Sequence, residues 1–99
     1  MDVRLLYFDG CPNWTVAEER LRSALVRVGR SDEPIHRVLV ETAEEAERLG
    51  FVGSPTIFID GRDPFAVGGE QPALACRVFT TPDGRAGSPT LEQLVEALS

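Results

Sequence analysis

Ninety-nine residues with 42% apolar content supply one compact core and leave no room for a second, so 1–99 is read as a single domain. Ten basic residues, all arginine, face sixteen acidic ones for a net charge of -6, which argues against a nucleic-acid partner, and the lack of lysine excludes Schiff-base chemistry at a side-chain amine. No apolar run approaches the roughly 20 residues that cross a bilayer, and no basic leader precedes the first apolar stretch, so no membrane partner and a cytoplasmic location are expected.

Residues 3–8 are almost continuously apolar apart from Arg4, as in a central strand covered on both faces. Ala17, Leu21, Ala24, Leu25 and Val28 then recur at helical spacing, which predicts one packed helix over 14–28 that ends near Gly29. A turn at 31–34 leads to a second strand over 35–40, completing a β-α-β unit. Thr42 and Glu45 fit a capping box, so a short acidic helix should run to Leu49 and stop at Gly50. A third strand is expected over 56–59, closed by Asp60-Gly61. Between 62 and 87 the pattern weakens: 67–72 reads as loop, 72–78 as a helical turn and 81–84 as a tight turn. In the last helix Ser88 is the expected cap, Pro89 suits the first turn, and Leu91, Leu94, Val95 and Leu98 form the apolar face.

The chemistry centres on Cys11, in Gly10-Cys11-Pro12-Asn13-Trp14, where the first strand gives way to the first helix. A helix N-terminus favours a thiolate over a thiol, by about one pKa unit or less for a contribution of about 0.3–1 kcal/mol. Asp9 opposes that effect, and no lysine or adjacent histidine compensates, so a moderately reactive nucleophile is expected. Asp9 could instead relay a proton. Trp14 occupies the position where a dithiol motif would carry its second cysteine; it either covers the helix start or walls a substrate groove.

That leaves Cys76 as the candidate resolving thiol, against the plain alternative of a buried, inert cysteine. Arg77 beside it could stabilise a thiolate or bind an anionic substrate. A bridge to Cys11 requires residues 62–87 to fold back and bring the Cα atoms within about 7 Å, and without a secretion signal such a bridge should be transient rather than structural. His36, the only histidine, reads as a surface residue.

Cys11-Pro12 is similar to a glutaredoxin-type motif, and Val52-Gly53-Ser54-Pro55-Thr56 resembles the proline loop of the thioredoxin-like family. The resemblance covers most of the chain. It implies an α/β, thioredoxin-like fold: a central mixed β-sheet flanked by helices, here with an insertion before the C-terminal helix. It also implies a cis Pro55 that leaves the Ser54 backbone free to pair with an extended substrate lying against Cys11. Pro12, Trp14, Ser54, Pro55 and Arg77 are thus the candidate substrate-binding residues, and Cys11 and Cys76 the candidate catalytic ones.

Trp14 in place of a second motif cysteine, Gly10 before Cys11, and no acid within the first strand depart from the thioredoxin pattern. Three functions follow. The first is a thiol-disulfide oxidoreductase acting on a protein or low-molecular-weight thiol or disulfide, with no cofactor and no resident metal. The second is a non-catalytic binding module that uses the Ser54 edge. The third, suggested by a likeness to alkylmercury lyase-like chains, is a soft-metal thiol protein in which Asp9 or Asp63 supplies a proton.

Overall fold

The computed structural model describes residues 1–99 and sets the first apolar run, β1 (Val3–Tyr7), in the middle of a three-stranded mixed sheet. β2 (His36–Leu39) pairs with it in parallel, Leu6 opposite Val38. On the other side β3 (Thr56–Ile59) pairs antiparallel, Leu5 opposite Ile57. Parallel neighbours need a crossover, and α1 (Asn13–Arg27) provides it.

Alternation along β1 sends Val3 and Leu5 to one face and Leu6 to the other. Val3 and Leu5 pack with Leu21, Ala24 and Leu25 of α1 and with Leu94 and Leu98 of α3 (Leu91–Leu98). Leu6 packs with Val40, Phe51 and Ala46, the last from α2 (Ala43–Leu49). Both faces of β1 are covered, which explains an apolar run that does not alternate with polar residues; only Arg4 is exposed within it.

The ends of α2 lie where expected, with the capping box half formed. Thr42 accepts from the Glu45 N–H at 3.1 Å, while the Glu45 carboxylate reaches back to the Glu41 N–H at 3.2 Å. Gly50 ends the helix at φ 74°, a left-handed conformation that glycine adopts without a Cβ penalty.

Two local expectations are corrected. Residues 72–78 form no helical turn: this segment is irregular, and Cys76 makes a parallel β-bridge with Ser54. Long-range pairing outweighs a local apolar pattern of ambiguous period. The cap of α3 is Thr90 rather than Ser88. Thr90 and Gln93 form a complete capping box that satisfies two amide donors, whereas the Ser88 hydroxyl donates to the Pro89 carbonyl, leaving Pro89 outside the helix. The turn at 81–84 joins β4 (Phe79–Thr81) to β5 (Gly84–Ala86) in a separate hairpin. No helix is long and apolar enough to cross a membrane.

Candidate functional site

Cys11 lies in the turn between β1 and α1, its N–H donating to the Phe8 carbonyl at 3.1 Å. Pro12 caps α1 with no side-chain cap bond, and no acidic residue occupies the first helical turn. Cys11 therefore lies at a helix start whose positive end has no carboxylate of its own. Asp9 is exposed on the preceding turn. Against this, the Cys11 sulfur is 3.9 Å from the Ser54 carbonyl oxygen, an acceptor that would favour a thiol over a thiolate.

The cysteines are joined. Cys11 and Cys76, 65 residues apart in sequence, form a disulfide with a Cα separation of 5.6 Å, inside the usual range for such a bond. The segment that delivers Cys76 is held by backbone pairing: the Ser54 N–H donates to the Ala75 carbonyl at 2.7 Å, and the Arg77 N–H donates to the Ser54 carbonyl at 3.0 Å. The backbone edge of Ser54, which the resemblance leaves free for a substrate, is occupied by the chain itself.

The Ser54–Pro55 peptide bond is cis, as the resemblance implies for Pro55. The Ser54 hydroxyl accepts from the Phe8 N–H at 3.1 Å and so ties the proline turn to the strand that leads into Cys11. Gly53 permits the close approach. At its φ of 123° a Cβ would stand 3.0 Å from the Arg77 Cβ and 3.1 Å from the Arg77 Cα.

Arg77 is buried, and its guanidinium is the anchor of the segment. Nη1 lies 2.8 Å from the Asp63 carboxylate and Nη2 3.5 Å from that of Glu70, with the ring of Phe79 4.6 Å beneath the guanidinium carbon. The Nη1 contact is ionic; its direction does not make a hydrogen bond. Asp63 and Glu70 are themselves oriented by backbone donors, from Phe65 at 2.9 Å and Gly68 at 2.9 Å. Both Nη groups of Arg77 thus face carboxylates of the chain itself. Asp63, a proton donor in the soft-metal reading, is committed to this pair. Nothing in the sequence pairs Asp63 and Glu70 with Arg77, since an irregular stretch has no period that would bring them together.

Cys76 is exposed and lines an open cleft of about 510 Å³ with Val52, Phe65, Val78, Phe79 and Arg85. Trp14 faces elsewhere. Its ring packs on Tyr7, centroids 4.3 Å apart, and the Arg37 guanidinium lies 5.3 Å from its centroid. A short, bidentate pair with Glu18 holds that guanidinium above its ordinary pKa, chiefly by hydrogen bonding and then by charge. Pro12 is exposed beside Cys11, and His36 is exposed on β2. No group of three or more His, Cys, Asp or Glu side chains is gathered where a metal ion could sit. No protein-family model, curated protein or solved structure matches this chain.

Proposed function

We propose that this is a thioredoxin-like thiol-disulfide oxidoreductase whose redox couple is Cys11 and Cys76. The observation that carries the reading is the disulfide between a cysteine at a helix start and one delivered onto the adjacent Ser54–Pro55 turn. A strand leading through Cys11-Pro12 into a helix, a parallel second strand, and an antiparallel strand after Pro55 support the thioredoxin-like arrangement. A bridge between residues at a turn and on an irregular segment can open without dismantling the sheet, which suits a bond that cycles. The reading places the protein in a reducing compartment such as the cytoplasm, where an exchangeable disulfide is reopened by a small thiol between turnovers.

The test is turnover of a small disulfide, hydroxyethyl disulfide, with glutathione as reductant. Wild type should turn over, and the Cys11→Ser/Cys76→Ser double variant should fall to the uncatalysed rate. Wild type no faster than buffer, together with peptide binding that survives Cys11→Ser, would give the protein to the binding-module reading instead.

A further inference from the structure

The two cysteines of the couple are not equally open to an incoming reagent. Cys11 is 0% exposed, enclosed between the start of α1 and the Ser54–Pro55 turn, and lines no part of the cleft. Cys76 is exposed and forms part of the cleft wall. Thiol-disulfide exchange is a displacement in which access decides which sulfur is attacked, and the more stable thiolate leaves faster. Access singles out Cys76 for attack. Attack there makes Cys11 the leaving group, since it is the sulfur bonded to Cys76.

Resting on the oxidoreductase reading, the geometry points to Cys76 as the entry sulfur and Cys11 as the buried partner, the reverse of the roles expected from sequence. A low-molecular-weight thiolate attacks the Cys76 sulfur. A mixed disulfide forms there as the Cys11–Cys76 bond breaks, and its electron pair departs on the Cys11 sulfur. A second thiolate then attacks the outer sulfur of the mixed disulfide, releasing Cys76 as a thiolate and the two small thiols as their disulfide. The protein gains two electrons and the two thiols lose them. In reverse, Cys76 attacks an external disulfide, and Cys11 then attacks the Cys76 sulfur, expelling the outer thiolate and restoring the bridge.

The first step also frees the segment at one end only. With the bridge open, residues 75–77 are held by the Ser54 backbone and by the contacts of Arg77 with Asp63 and Glu70, so Cys76 stays close to Cys11 for reclosure. The substrate thiol in this step must be small or flexible, because the Ser54 edge is filled by the chain.

The experiment is to mix oxidised wild-type protein with a series of glutathione concentrations, quench with acid after milliseconds to seconds, digest at low pH and locate the adduct by mass spectrometry. Glutathione should be found on the peptide containing Cys76 in at least tenfold excess over the peptide containing Cys11 at the earliest times. A predominant Cys11 adduct, or equal amounts on both, would overturn the assignment while leaving the oxidoreductase reading intact. A protein disulfide that never exchanges, even over hours, would defeat that reading and this one together.

Discussion

Arg77 donates its backbone N–H to the Ser54 carbonyl at 3.0 Å, and with the Ser54 N–H donating to the Ala75 carbonyl at 2.7 Å this bond registers the segment so that Cys76 meets Cys11. The side chain of the same residue is clamped by Asp63 and Glu70, so one residue fixes the segment both through its backbone and through its charge.

Opening the bridge should lower stability substantially. For two residues 65 apart, the chain-entropy model assigns the closed loop about 4 kcal/mol, an upper value if the unfolded chain retains structure. Cys76→Ser, and wild type in excess reductant, should both unfold at a temperature lower by on the order of 20 °C in a domain of this size. Equal melting temperatures with and without reductant would mean that the crosslink does not constrain the unfolded chain.

Arg77→Leu leaves the Asp63 carboxylate, only 10% exposed, without its cation. Breaking a buried pair on one side should cost about 3 kcal/mol in urea unfolding, and the Arg77→Leu/Asp63→Leu double variant should recover part of it. Additive losses would show that the two side chains are not coupled.

At Gly53 an alanine meets two obstacles, a positive φ and the Arg77 backbone 3.1–3.2 Å away. Gly53→Ala should destabilise by about 1–3 kcal/mol and loosen residues 75–77, visible as faster amide exchange at Arg77. Gly50→Ala is the control: its Cβ would have only Phe58 at 3.7 Å, so it should cost stability without changing exchange at Arg77.

Much of this architecture was legible from residues that act locally. The apolar run of β1, the helical spacing through Leu21 and Leu25, and the Thr42–Glu45 cap each depend on neighbours in sequence, and each element lies where its pattern places it. The α3 cap was missed by two residues because Ser88-Pro89 and Thr90 with Gln93 are both plausible starts; only the pair that satisfies two amides forms. Residues 62–78 were opaque for a different reason. Their conformation is set by Ser54, by the Cys11 sulfur and by an ion cluster around Arg77, all partners distant along the chain or without periodicity. The candidate residues on the two halves of the site, Cys11 and Cys76, Ser54 and Arg77, were visible singly; their mutual pairing was not. Trp14 packs against Tyr7 and beneath Arg37.

The most direct measurement on the proposed couple is a redox titration of wild type in glutathione buffers, with trapped Cys11 and Cys76 quantified by mass spectrometry. An exchanging couple should titrate reversibly, both cysteines together, with a midpoint between about -120 and -270 mV, the range of disulfide oxidoreductases. A bridge that stays oxidised below about -300 mV, or thiols that titrate independently, would mark the disulfide as a structural staple and contradict the proposed function.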